Sequence, residues 1–579
     1  MPTILQRTAH DGAVKAQFSD NVSSLLQRIY SNRGALSDDD INYRLQNLAN
    51  PASLKGLPEA VALLVNVIEQ QRRVLIVGDF DADGATSCAL SILALQAMGL
   101  KNVDFLVPNR FEYGYGLTPE IVDVAKQSSP DIIITVDNGI ASVDGVAHAK
   151  SFGIQVIVTD HHLPAETLPA ADAIVNPNQV GCEFPSKNLA GVGVIFYLLS
   201  ALRSELRTRG WFENSKIAEP NMADYLDLVA LGTVADVVPL DRNNRILVHQ
   251  GIQRVRAGKA RPGILALLQV AGKKYQRLTS QDFGFIVGPR LNAAGRLDDI
   301  SIGIQCLLTG DMDYALELAS ELDSLNRDRR AIESSMQKEA LSSLDELSLE
   351  EEELPWGLCL FNESWHQGVV GILASRIKDK YHRPVIAFAE VDENTIKGSA
   401  RSINGLHIRD ALDVIATQNP QVLQKFGGHA MAAGLTLERK DFPAFTALFD
   451  QVVKDQLTQD QLSETVLTDG PLALTEFTLE VARSLQIAGP WGQYFPEPQF
   501  DGEFLLLNQR LVGEKHLKLT LSVPEAPDLL IDAIAFNIDL ACWPNNSVGK
   551  VKIAYQFTIN EYRGRESIQL IIRYIEPIL

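Results

Sequence analysis

The chain has 579 residues, of which 46% are hydrophobic and 21% charged, so it suits a globular protein of three to four domains. Its formal net charge of −20 speaks against a protein that coats itself in nucleic acid by bulk electrostatics, while leaving room for a narrow basic channel or a cation-bearing site. Five scattered cysteines (88, 182, 306, 359 and 542), with no CxxC pair, exclude a disulfide framework and a zinc-site spacing and read as reduced thiols in a cytoplasmic protein.

The first 50 residues read as a polar helical segment, and their start lacks the apolar run of a signal peptide. From residue 74, β-rich runs alternate with helical patterns: VLIVGDF, ATSCALSILALQAMG, VDFLVPN, TPEIVDVAKQS, DIIITVDNG and QVIVTDHH. That rhythm predicts a parallel, doubly wound sheet, with ligands beyond the carboxyl ends of its strands. Asp79, Asp81 and Asp83, then Asp137, then Asp160, His161 and His162 stand at that end of three strands. LAGVGVIFYLLSAL (189 to 202) is too short for a bilayer span and suits a buried helix. Helical runs follow at 225 to 240 and 263 to 272. Residues 311 to 354 contain no Gly or Pro and carry Leu318, Leu322, Leu325, Ile332 and Met336 at helical spacing, which predicts a long connecting helix. A second α/β unit begins near 356, a polar linker covers 457 to 470, and about five strands then predict a small β-barrel of OB type.

D-x-D-x-D-G also opens an EF-hand loop, but position twelve is Leu90 and a strand precedes the motif, so the EF-hand is rejected. A helix cap explains one of the three aspartates and leaves two unexplained. Carboxylates joined by imidazoles suit Mn²⁺ well, and Mg²⁺ or Fe²⁺ less distinctively. Sites with several carboxylates commonly hold two ions bridged by an Asp. Asp236, in ALGTVADVVPL, is the expected last ligand.

In this order, GDFDADG, TVDNG, TDHH and GTVADVVPL resemble the successive motifs of the DHH phosphoesterase superfamily. GPRLNAAGR (288 to 296), WHQGVVGILASR (365 to 376) and KFGGHAMAAGLT (425 to 436) resemble its longer version, whose members include single-strand-specific exonucleases. The resemblance covers roughly residues 50 to 579. It implies an α/β fold: a DHH parallel-sheet domain (51–310), a long helix (311–354), a DHHA1-type α/β domain (355–456), and a linker with an OB-like barrel (457–579), after the N-terminal segment 1–50.

The resemblance further implies a cluster for two divalent ions, Mn²⁺ favoured and Mg²⁺ possible, made by Asp79, Asp81, Asp83, Asp137, His161 and Asp236, with Asp137 as bridge. His162 would face the scissile phosphate as donor or acid, and Asp160 would orient a histidine. Many relatives open the first motif with His where Asp79 stands here. Arg110, Tyr113, Arg290, Arg296, Ser399, Arg401, Gly427, Gly428 and His429 would contact the strand, and His366 has no clear role. The implied activity is 5′→3′ hydrolysis of single-stranded DNA to 5′-mononucleotides in repair and recombination. The implied partners are single-stranded DNA, a single-strand-binding protein and a RecQ-type helicase, with no membrane and a monomeric chain. Rival readings are a hydrolase of short or cyclic oligonucleotides and a non-catalytic DNA-binding relative. Chain length argues against the first, and the complete set of motif carboxylates against the second.

Overall fold

Two compact units divide the chain: residues 6–325 with 468–579, and residues 1–5 with 326–467. The structure, a computed structural model, describes residues 3–8, 16–107, 116–346, 354–423, 425–538, 540 and 542–578. Arg110 and Tyr113 lie outside the described residues.

The larger unit is built on a five-stranded parallel sheet. Its strands are β1 (Val74–Gly78), β2 (Val103–Leu106), β3 (Ile132–Val136), β4 (Gln155–Thr159) and β5 (Ala173–Val175), in the order β2-β1-β3-β4-β5. All five residues of β1 and of β3 are buried, as apolar runs covered by helices on both faces require. Helix α1 (Ala82–Ala97) follows β1, and α2 (Gly191–Thr208) follows the sheet; α2 is the apolar stretch of 189 to 202, packed inside the unit. Helices α3 (Leu226–Ala235) and α4 (Gly288–Leu297) complete the surroundings of the strand ends. Among the described residues no single helix is long and apolar enough to cross a membrane.

The first 50 residues differ from the expected helical segment. Among the described residues they contain one α-helix, Ser24–Ser31, a strand Thr3–Gln6 and short 3₁₀ turns. Local side-chain bonds win there: Asp40 accepts from the backbone of Leu36 and Ser37, which fixes a turn where a longer helix would need continuing backbone bonds. The polar linker also differs, because Thr465–Thr468 forms a strand paired with Thr3–Gln6, with Val466 and Thr468 buried.

Helix α5 (Met312–Glu346) runs for 35 residues and passes from the larger unit into the smaller. Leu318, Leu322 and Met336 of the expected stripe are buried. The smaller unit holds β6 (Leu358–Asn362), α6 (Val370–Tyr381), β7 (Val385–Glu390), β8 (Thr395–Arg401), β9 (Lys425–Gly428) and β10 (Ala432–Glu438). The sheet order is β9-β10-β8-β7-β6, with β6 and β7 parallel and the remaining pairs antiparallel.

Back in the larger unit, β11 (Phe500–Val512), β12 (His516–Val523), β13 (Ala526–Ala535), β14 (Lys550–Tyr562) and β15 (Arg565–Pro577) close into a barrel in the order β11-β12-β13-β15-β14. The barrel is the expected OB-type element. Leu240 N–H donates to Gln493 O at 2.8 Å, so the segment before the barrel, where Trp491 stacks on Phe495 at 5.3 Å, is packed on the half that carries the parallel sheet.

Candidate metal centre

The first aspartate cluster is shaped by the turn from β1 into α1. Asp81 caps the helix: its Oδ1 accepts from Asp83 N at 2.9 Å and Gly84 N at 3.0 Å. The capping residue is thus also one whose carboxylate lies within a candidate ligand set, with Asp79 and Asp137. Asn292 Oδ1 on α4 accepts from Ala82 N at 2.7 Å, so GPRLNAAGR pins the acidic turn from behind. Asp83 is buried and bound at the start of α2, where its two oxygens accept from Gly191 N (2.6 Å) and Val192 N (2.9 Å). A Cβ at Gly191 would meet Asp137 Cβ at 2.5 Å, so only glycine lets that helix start lie against the third strand end.

Asp137 follows β3 in a left-handed conformation, φ 62°, a strained geometry for a residue bearing a side chain. Its Oδ1 lies 3.1 Å from His161 Nε2, which is itself 3.4 Å from Asp236 Oδ2. Asp236 Oδ2 is shielded from solvent and makes no hydrogen bond among the described residues. Three sets of ligand atoms converge within 4.8 Å: Asp79, Asp81 and Asp137; Asp83, His161 and Asp236; and Asp137, His161 and His162. Asp137 thus belongs to the first set and touches the histidine of the second. Hard carboxylate oxygens with imidazole nitrogens are the donor set that Mn²⁺ and Mg²⁺ accept, so these residues fit divalent ions.

Electrostatics point the same way. Burial first, then the Asp81 charge, push the Asp83 carboxyl up to about 7 against the pull of its two backbone N–H donors. Asp137 is raised well above the usual carboxylate range by burial and then by Asp83, Asp81, Asp236 and Asp79. Asp236 is raised in the same way, by burial and then by Asp83, Asp81 and Asp79. Packing these charges together costs free energy that a positive ion would offset.

Asp160 lies beneath the cluster. It accepts from Ile140 N (2.9 Å), His161 N (2.7 Å), His162 N (3.0 Å) and His162 Nδ1 (2.7 Å). Burial raises its pKa, but the His162 bond, the charges of both histidines and the Ile140 N–H outweigh that, and the carboxyl sits below its usual range. Burial disfavours charge on His162, yet the Asp160 bond and the charges of Asp160, Asp79 and Asp81 outweigh it and hold the imidazole above its ordinary pKa. Asp160 therefore orients His162 in particular.

Three further asparagines support the strand ends and were not singled out in the sequence. Asn138 bonds Val77 O (3.1 Å) and Val136 O (2.9 Å), tying β1 to β3. Asn176 bonds His162 O (2.9 Å) and Asn178 bonds His161 O (2.6 Å). The Asn-Pro-Asn run after an apolar triplet was the available signal.

Arg290 is buried on α4. Its Nε and Nη2 bond Asp323 Oδ1 (3.0 and 2.7 Å) and its Nη1 bonds Ile286 O (2.6 Å), so it braces α5 and keeps part of its donor fork. Arg296 is half-buried in the last turn of α4.

In the smaller unit, Arg401 Nη1 bonds Ser399 Oγ (3.1 Å) and Ala400 O (2.8 Å). A Cβ at Gly371, in the first turn of α6, would lie 2.8 Å from both side chains, so that glycine clears the pair. Burial lowers the Arg401 pKa from its ordinary value. Gly427 pairs with Gly434, which pairs with Ser399, and Cβ positions at both glycines face open space. The result is a side-chain-poor track beside a cation. Gly428 pairs with Ala433, and exposed His429 donates its N–H to Ala432 O at 2.8 Å in the same hairpin. His366 Nδ1 accepts from Gly368 N at 3.0 Å.

A parallel sheet whose strand ends gather carboxylates and imidazoles within 4.8 Å of one another is the arrangement of the DHH class of phosphoesterases. The chain matches the DHH family N-terminal domain over residues 73–233, the DHHA1 domain over 357–455 and the RecJ OB domain over 468–574. It is 55% identical over 563 residues to the single-stranded-DNA-specific exonuclease RecJ of Salmonella typhimurium, covering 97% of each chain. It is 56% identical over 554 residues to that of Escherichia coli, covering 96% of each. The crystal structure of RecJ with Mn²⁺ from Thermus thermophilus superposes with a TM-score of 0.79 at 29% identity, over 96% of this chain and 76% of that one. The Mg²⁺ complex from the same organism gives 0.73 at 27% identity, with the same coverage. The chain belongs to the RecJ family.

Proposed function

We propose that this protein is a single-stranded-DNA-specific 5′→3′ exonuclease that uses two divalent ions, Mn²⁺ favoured and Mg²⁺ accepted, and releases 5′-mononucleotides. One observation carries the reading. Asp137 shares a ligand set with Asp79 and Asp81 and lies 3.1 Å from His161, the ligand partner of Asp83 and Asp236. Asp137 would therefore hold both ions when they are bound.

Bound ions supply neutralising charge for the phosphate and a nucleophilic hydroxide at neutral pH. The chain supplies the rest. Asp81 and Asp83 are held by backbone N–H groups, so their oxygens need little rearrangement on ion binding. Asp160 aims His162 and raises its pKa, which suits it to donate to a phosphate oxygen or to the departing oxygen. Ser399 and Arg401, with the Gly427–Gly428–His429 turn, are assigned to the strand's phosphates, since small residues let the backbone approach closely. Arg290 and Arg296 are assigned the same task, together with Arg110 and Tyr113 on the grounds of residue type alone.

The proposed division of the chain is 51–310, 311–354, 355–456 and 457–579 after the segment 1–50; the three family matches and helix α5 support it. Family membership supports a monomeric cytoplasmic enzyme of repair and recombination, working with a single-strand-binding protein and a RecQ-type helicase. The test uses purified protein, Mn²⁺, single strands labelled at either end and matched duplex. Stepwise release of 5′-end mononucleotides from single strands alone supports the reading. Preference for oligomers of two to five nucleotides, or binding without cleavage, overturns it.

A further inference from the structure

Helix α3 ends at the metal centre with a side chain that its backbone does not favour. Asp236 closes the helix, its N–H bonded to Gly232 O at 2.9 Å, and Val237 follows at φ 61° with its N–H on Val234 O at 3.2 Å. This left-handed position just past a helix end is usually glycine. Five other helices of the same unit place glycine there: Gly99 after α1, Gly153 after Val143–Ser151, Gly210 after α2, Gly258 after Arg242–Arg256 and Gly272 after Pro262–Val270. Among the described residues Val237 is the only β-branched one at positive φ. A branched side chain crowds the backbone in that region, so valine lowers stability where glycine would relieve the crowding.

Burial does not offset that loss. Val237 is 63% exposed, while its neighbour Val238 packs against the core. The turn is nonetheless firmly held. On one side Asp236 Oδ2 lies 3.4 Å from His161 Nε2, and on the other Leu240 N–H is bonded to Gln493 O at 2.8 Å. An apolar side chain is therefore kept in a strained conformation, open to solvent, directly after a candidate ligand of the metal centre. Strain that persists without a gain in packing points to a role at the reacting site.

We propose that Val237 is a specificity-determining residue that meets C2′ of the 5′-terminal sugar and so selects deoxyribose over ribose. The inference rests on the exonuclease reading. In that reaction the oxygen of water bonds to phosphorus, the bond from phosphorus to O3′ of the terminal nucleotide breaks, and a proton ends on that O3′. C2′ is the carbon next to the one bearing the departing oxygen, so it comes to the rim of the ligand cluster together with the scissile phosphate. A methylene there makes an apolar contact with the valine methyls. A 2′-hydroxyl pressed onto the same methyls gives up water and finds no partner, which disfavours ribose about 10–100-fold.

The test uses full-length protein, Mn²⁺ and three 20-nucleotide strands: all-deoxy, with one ribonucleotide at the 5′ end, and with one ribonucleotide at the third position. Wild type makes the first cut in the 5′-ribo strand about 10–100-fold more slowly than in the other two. Val237→Thr keeps the branched shape and offers the 2′-hydroxyl a partner, so that gap shrinks about tenfold. Val237→Gly shrinks it too, and metal-free Val237→Gly unfolds at or above the wild-type temperature. An equal slowing from either ribonucleotide, a gap unchanged in both variants, or a Val237→Gly protein that unfolds well below wild type overturns the assignment. If wild type cuts none of the strands, the exonuclease reading fails instead. Fluorescence anisotropy on metal-free protein then still decides Val237: weaker binding of the 5′-ribo strand by wild type, lost in Val237→Thr, supports its role, and equal affinities overturn it.

Discussion

Binding Mn²⁺ to the metal-free protein should expel protons, and their number follows from the carboxylates. In the folded, ion-free chain the Asp83 carboxyl titrates at about 7, against an ordinary value of 3.8. Asp137 and Asp236 are displaced in the same direction. A raised folded pKa means the folded state holds its proton after the unfolded chain has lost it. Its stabilising share is whole below pH 3.8 and is lost as pH rises through about 7. For Asp83 alone the loss is on the order of 4 kcal/mol, at ~1.4 kcal/mol per pH unit. A divalent ion replaces those protons. At pH 6.5, calorimetry in buffers of different ionisation enthalpy should therefore show proton release, with Asp83 contributing up to about one proton per chain. Asp83's share should vanish above pH 8, and Mn²⁺ should raise the unfolding temperature more at pH 8 than at pH 6. Zero proton release at pH 6.5, or a thermal shift independent of pH, would refute the electrostatic reasoning.

Other perturbations test individual residues. Asp137→Ala should abolish turnover while the far-UV circular dichroism stays that of wild type; an active variant contradicts the bridging role proposed for it. Asp160→Asn removes the charge that raises the His162 pKa, so kcat should fall about 10–100-fold, and the alkaline limb of the pH–rate profile should move to lower pH. Arg401→Ala should raise KM for single strands about 10–100-fold with a smaller change in kcat, and Lys should restore little of it, because an ammonium lacks the guanidinium's fork. Asn292→Ala removes the acceptor from Ala82 N and should weaken Mn²⁺ affinity about tenfold without touching any ligand.

The acidic cluster was legible in the sequence because a parallel sheet carries its ligands at one end of its strands. Asp79 to Asp83, Asp137 and Asp160 to His162 each follow an apolar run that had to be such a strand. The long helix was legible from the absence of Gly and Pro together with one apolar stripe. What the sequence left open was mostly polar bookkeeping at a distance. Asp81 looked like either a cap or a ligand, and the geometry allows both, since a carboxylate has two oxygens. Asn138, Asn176 and Asn178 act through bonds to backbone carbonyls of other elements, which no local pattern encodes. Arg290 reads as a lone cation in sequence, and Asp323, its partner, lies 33 residues away. The strand Thr465–Thr468 looked like linker because its partner, Thr3–Gln6, is at the far end of the chain.

The most direct test of the central claim is anomalous diffraction from crystals grown with Mn²⁺. Two peaks about 3.5–4 Å apart are expected, one against Asp79 and Asp81, the other against Asp83, His161 and Asp236, with Asp137 between them. A map without peaks among these side chains, or with ions held only elsewhere, would contradict it.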